Sequence, residues 1–208
     1  MKNIFNLDNG FFTFMGKVAD VMILNLLFII TSIPIITIGA SLTALYSVSL
    51  KQSSGSSSYI AKEYFHAWKS NFKQSTIMWI FSLIAFALLF MNLTLKIDGT
   101  FSLAMHFIMI LSMILYIMVT LYAFPLLAKF DNTIKHTIVN AFLMSMRHFL
   151  TTCILLGTAA FFIFLTFAYP PMIEVTAMAW FLFFFAIIAR IQATFLDRIF
   201  ERYIPQTI

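Results

Sequence analysis

Five stretches of this sequence contain no Asp, Glu, Lys or Arg: residues 21–50, 74–95, 99–128, 148–173 and 175–189. A helix crosses a hydrocarbon core of about 30 Å with about 20 residues at 1.5 Å each. Four stretches, of 30, 22, 30 and 26 residues, are long enough unaided. The fifth, of 15 residues, becomes adequate if its helix runs on through Arg190 to Leu196. Arg190 would then sit near an interface with its guanidinium reaching water. Composition points the same way. The chain is 62% hydrophobic and 10% charged, with a mean hydropathy of +0.95, against about 45–50% apolar and about 25% charged in a soluble domain. So short a chain has no interior for that much apolar surface. The expectation is an all-α membrane protein, a bundle of five transmembrane helices forming one integral membrane domain over residues 1–208.

The first stretch follows Lys17 and Asp20, exceeds a signal-peptide core and lacks a small-x-small cleavage site, so it is read as a retained span. Within it, Pro34 removes a backbone donor and Gly39 follows five residues later. A single kinked span is one reading. The other is a break at Pro34–Gly39, with a sixth half-span turning back. Irregular backbone is tolerated in lipid only where protein or a polar cavity covers it, and the hydroxyls of Thr31, Ser32 and Thr37 could satisfy the freed groups.

Orientation follows the cations. With residues 51–73 in the cytoplasm and five spans, 10 of the 13 Lys and Arg lie on that side, leaving Lys2, Lys17 and Lys96 opposite. A hairpin at Pro34–Gly39 brings the N-terminus inside as well and raises the figure to 12 of 13. Either way the C-terminus is cytoplasmic. The net charge of +5 thus reads as topology beside an anionic leaflet. Nucleic-acid binding would need a basic soluble module, and none is present.

Two cytoplasmic stretches have helical amphipathic patterning. After the flexible linker of residues 53–58, Ile60, Tyr64, Trp68 and Phe72 recur at intervals of four among Lys62, Glu63, His66, Lys69 and Lys73. That spacing predicts a surface helix, with an extension of the next span as the alternative. The second stretch opens at Asp131-Asn132-Thr133, with Asp131 or Asn132 capping the first turn, and continues through Ile134, Ile138, Ala141, Phe142, Ser145 and Phe149. Residues 64–77 and 141–154 share Phe65/Phe142, Phe72/Phe149 and Ile77/Ile154 at an offset of 77. A weak internal repeat of residues 59–130 and 133–208 is therefore an expectation.

No GxSxG, HExxH or phosphate-binding glycine loop occurs, so the chain is read as a non-enzyme with no cofactor, metal or catalytic residue. Ion coupling usually needs ionisable groups inside the spans. Here the interior polar groups are Asn25, Asn92, His106 and Cys153 with scattered Ser and Thr. Asn25 reads as helix–helix glue, His106 as interfacial and Cys153 as packing.

Residues 32–51 (SIPIITIGASLTALYSVSLK), residues 65–79 with their FKQS sequence, and residues 121–148 (LYAFPLLAKFDNTIKHTIVNAFLMSMRH) together resemble the YesL-like family of Bacillota integral membrane proteins. The chain departs from that family at Ala40, where proline is common. The resemblance implies five to six spans and genetic company with carbohydrate ABC importers. It singles out Pro34, Gly39, Thr43, Ala44, Leu45 and Tyr46 in one motif, and Phe124, Pro125, Leu126, Phe130, Asp131 and Asn132 in the other. The expected function is a non-enzymatic accessory or regulatory membrane protein, associated with sugar ABC importer subunits. The alternative is a small carrier or channel for a sugar or other small solute. The candidate partner or ligand surface comprises Pro34, Gly39, Tyr46, Trp68, Phe124, Pro125, Phe130, Asp131 and Asn132.

Overall fold

The computed structural model describes residues 10–55, 59–94, 102–168 and 170–203. Lys2, Lys96 and part of the Ser/Gly linker lie outside the described residues. Every regular element among those described is helical: α1 (Gly10–Ser32), α2 (Ile38–Ser53), α3 (Ile60–Thr94), α4 (Ser102–Lys129), α5 (Ile134–Arg147), α6 (Phe149–Phe167), α7 (Ile173–Ala179) and α8 (Phe185–Phe200). A π turn, Trp180–Phe184, joins α7 to α8 without interruption.

Five of these rods are long and apolar enough to cross a membrane: Phe11–Ser32, Ile60–Thr94, Leu103–Lys129, Phe149–Phe167 and Ile173–Tyr203. Only 6% of the most apolar stretch of α3 and 11% of that of α6 is buried within the protein. Phe81, Phe107, Phe164 and Phe167 are each more than 60% exposed. Water would not tolerate that surface, and lipid does; the chain is a multi-pass membrane protein. The fifth rod does run through Arg190, with α8 continuing to Phe200, as its length required.

The first charge-free stretch divides. α1 stops at Ser32, Pro34 stands in extended backbone (φ −75°, ψ 115°), and a 3₁₀ turn, Ile35–Thr37, leads into α2. The freed carbonyls are repaired locally. Thr37 Oγ1 lies 2.7 Å from the carbonyl oxygens of both Thr31 and Pro34, and Thr37 N–H donates to Pro34 O at 2.9 Å. Ser32 Oγ, by contrast, is buried without a partner among the described residues. α2 then returns antiparallel to α1. Thr37 meets Thr31 at one end of the pair, while Lys17 and Asp20 share a recess with Ser49, Gln52 and Ser53 at the other. The first stretch is therefore one span plus a returning half-length helix, and its reading as a single kinked span is corrected.

α2 is the centre of the bundle. Gly39, Ala40, Ser41 and every residue from Thr43 to Leu50 are buried, packed against α3, α4, α8 and α1. Its small residues allow the close approach. A Cβ on Gly39 would come within 2.5 Å of both Ser75 O and Trp79 Cβ on α3, so only glycine fits there. Four positions on, Thr43 Oγ1 accepts from Ser75 Oγ at 2.9 Å.

A second correction concerns the first amphipathic stretch. Ile60 to Lys73 is not a separate surface helix; it forms the opening turns of the 35-residue α3. At 1.5 Å per residue α3 is about 52 Å long and outreaches a 30 Å core by several turns. Neither proline nor glycine separates Lys73 from Gln74, so nothing ends the helix there. The second stretch is a separate helix, α5. Its cap is Thr133, whose hydroxyl accepts from His136 N–H at 3.4 Å, and not Asp131 or Asn132. Ile138, Val139, Phe142, Leu143 and Met146 remain exposed on α5, an apolar face suited to a membrane surface.

The π turn has an identifiable partner. Asn25, fully buried on α1, donates to the carbonyls of Trp180 and Phe181 at 3.0 and 2.7 Å. Its Oδ1 accepts Ala186 N–H at 2.9 Å. A π turn disturbs the regular ladder of backbone bonds, and one side-chain amide here satisfies three of the affected groups. Asn25 is thus the interhelical glue that its position promised.

Candidate functional site

The proposed surface residues fall into distinct settings. Pro34 is exposed at the α1–α2 turn, while Gly39 and Tyr46 lie inside the bundle. Tyr46 Oη donates to Gln192 Oε1 on α8, and Gln192 Nε2 donates in turn to Leu155 O at 3.0 Å and Thr158 Oγ1 at 3.2 Å on α6. This buried relay ties α2, α6 and α8 together with its polar atoms paired. Trp68 stands apart on α3, its ring 4.7 Å from that of Phe72.

Trp79 connects the two motifs that proline marks. Its indole N–H donates to Ile35 O at 2.8 Å, its Cβ closes against Gly39, and its ring lies 6.1 Å from Phe124. Phe124 and Pro125 are buried in α4, which continues past Pro125 to Lys129. The Pro34–Gly39 break and the Pro125 segment therefore pack as one joint. No sequence signal singled out Trp79, because its partners lie 35 or more residues away in the chain.

Beyond α4 the chain turns through Phe130, Asp131 and Asn132. Phe130 packs edge-on against Phe200 at 5.5 Å, and Asn132 O accepts from Gln74 Nε2 on α3. Asp131 is exposed and lies beside Ser70, Lys73 and Gln74. The turn is braced by an ion pair that sequence reading missed: Lys129 Nζ to Asp197 Oδ1 at 2.8 Å, with Asp197 only 5% exposed.

Phe130 and Asn132 also line a recess of about 400 Å³ with Leu126, Asn140, Leu143, Met144, Arg147 and Tyr203. Arg147 lies 5.7 Å from the centre of the Tyr203 ring, and His148 Nε2 is 3.0 Å from Tyr203 Oη. Partial burial, then the charges of Arg147 and Arg202, hold His148 below its ordinary imidazole range. A basic, aromatic-walled concavity of this kind suits a protein side chain or a small anionic group.

Among the described residues no group of three or more His, Cys, Asp or Glu is placed to hold a metal. Cys153 is exposed on α6 and is not core packing. Every described Lys and Arg belongs to the portion of the fold built from the start of α1, the end of α2, the start of α3, the α4–α5–α6 junction, and α8 with the 3₁₀ turn Glu201–Tyr203 that follows it. The α6–α7 turn contributes none among the described residues.

A family model described as "Protein of unknown function, DUF624" matches residues 21–93, which take in most of α1, all of α2 and nearly all of α3. No curated protein and no solved structure matches the chain.

Proposed function

We propose that this chain is a non-enzymatic accessory subunit of the bacterial plasma membrane, of the YesL-like type, docking on the membrane subunits of a carbohydrate importer through its basic end. The observation that carries the reading is α2. A helix buried from Gly39 to Leu50, apart from Leu42, occupies the middle of the bundle, where a carrier or channel needs a path for its solute. The polar side chains Thr43 and Tyr46 of α2 and Gln192 of α8 are spent on backbone and on neighbouring side chains. The basic end faces the cytosol by the asymmetry of Lys and Arg, with the start of α1, the end of α8 and α5 on that side. The docking element is the Phe130–Asn132 turn with the recess walled by Arg147 and Tyr203. The importer as partner rests on the genetic company that the resemblance implies.

The test is detergent co-purification of the full chain with co-expressed membrane subunits of a carbohydrate ABC importer from the same organism. A stoichiometric complex that Phe130→Ala and Arg147→Ala weaken supports the reading. Clean purification of the chain alone under the same conditions contradicts it. Solute flux through proteoliposomes holding only this protein would replace it with the carrier reading.

A further inference from the structure

A second recess, of about 400 Å³, opens between α1, α2 and α8 and is lined by Lys17, Asp20, Ser49, Gln52, Arg190 and Thr194 among others. Its chemistry divides into donors and acceptors. Among the described residues Arg190 donates only through Nε, to Gln52 Oε1 at 2.6 Å. Its terminal guanidinium nitrogens make no hydrogen bond with the described residues. Because the Gln52 carbonyl is taken, its amide N–H₂ remains as a donor. Lys17, exposed on α1, supplies a second cation. Ser49 donates its proton to Leu45 O at 2.8 Å and Thr194 donates to Arg190 O at 3.0 Å, so both offer lone pairs to the recess. Asp20, close enough to Arg190 to feel its charge, adds carboxylate acceptors.

Two cations against one carboxylate leave one net positive charge. Guanidinium, ammonium and amide donors match phosphate oxygens, with the guanidinium able to engage two at once. The remaining acceptors need hydroxyl groups as partners. We propose that this recess binds a phosphate group carried on a hydroxylated headgroup, of the glycerol-phosphate type. The volume suits such a group. The same chemistry is found in an anionic glycerophospholipid and in a free glycerol phosphate. Ile23, exposed on α1 about one turn beyond Asp20 on the membrane side of the recess, offers acyl chains an apolar border and favours the lipid.

The experiment titrates the detergent-solubilised full chain with short-chain phosphatidylglycerol, with matched phosphatidylcholine, and with glycerol 3-phosphate as competitor. Phosphatidylcholine carries no net charge and no hydroxyl donor. One equivalent of phosphatidylglycerol should bind about tenfold more tightly than phosphatidylcholine, and Lys17→Gln and Arg190→Gln should each forfeit most of that preference. Lys135→Gln, an equal charge change on α5, should leave it intact. Lys17 is exposed, so its variant keeps the test valid if Arg190→Gln disturbs folding. Competition by glycerol 3-phosphate supports the site with a free phosphate as its occupant; no competition supports it with the lipid. Equal affinity for both lipids without glycerol 3-phosphate binding, or an unchanged preference in both variants, overturns the proposal.

Discussion

Asn25 on α1 accepts the backbone N–H of Ala186 at 2.9 Å, across 161 positions of sequence, and so holds the π turn of the fifth span in place. Its amide donates to two carbonyls of the same turn. Replacing Asn25 with Ala leaves three buried backbone groups without this partner. At about 1–3 kcal/mol for each group that finds no substitute, a net loss of about 2–4 kcal/mol is expected once the turn relaxes. Thermal unfolding in detergent should register it as a markedly lower midpoint.

Gly39→Ala sets two effects against each other. Helix propensity favours alanine by about 1 kcal/mol. The new methyl would lie 2.5 Å from Ser75 O, which is backbone and cannot swing aside, and overpacking costs about 1–3 kcal/mol. The clash should win, loosening α2 from α3 and raising trypsin cleavage at Lys51 above that of the parent chain.

Lys129→Met strands the Asp197 carboxylate in a site that is 5% exposed. A loss of about 3 kcal/mol is expected, as for other buried pairs deprived of one member. The double variant Lys129→Met, Asp197→Leu should recover most of it. Equal stability of the single and double variants would show that the cost of Lys129→Met does not come from the stranded carboxylate.

The His148 contact should depend on pH. Burial and the neighbouring Arg147 and Arg202 lower the folded-state pKa of His148 below its ordinary value of 6.5. The unfolded chain therefore binds the proton more readily, and stability rises with pH through this window. The contribution is fully present above about pH 6.5 and is lost as pH falls through the lower folded value. Unfolding midpoints at pH 7.5 and pH 5.5 should differ in that sense, and His148→Phe should shrink the difference.

Much of this architecture is legible in the residues themselves. Charge exclusion locates the spans because a charge in hydrocarbon is costly, and Pro34 marks a break because it lacks a donor. The hydroxyl-rich run after Gly39 contains the small residues that a buried helix needs, although hydropathy alone does not separate it from a second half of one span. The start of α1 is hidden for a related reason. Lys17 and Asp20 lie within that helix, at a level where polar groups of α2 and α8 meet them. The pairs Lys129–Asp197 and Tyr46–Gln192 depend on tertiary neighbours. No local pattern reports them. Of the candidate surface, the structure joins Phe130 to Asn132 and, through Trp79, Gly39 to Phe124; Trp68 belongs to neither group.

The most direct measurement is the sidedness of three single cysteines in a Cys153→Ser background, labelled with a membrane-impermeant maleimide in intact cells. The returning α2 and the cytosolic basic end require Lys17→Cys and Arg202→Cys to stay unlabelled until the cells are permeabilised. Glu174→Cys, in the first turn of α7 at the far end, should label at once. Labelling of Lys17→Cys from outside, with Arg202→Cys protected, would mean that the first stretch crosses the membrane once and that the hairpin account is wrong.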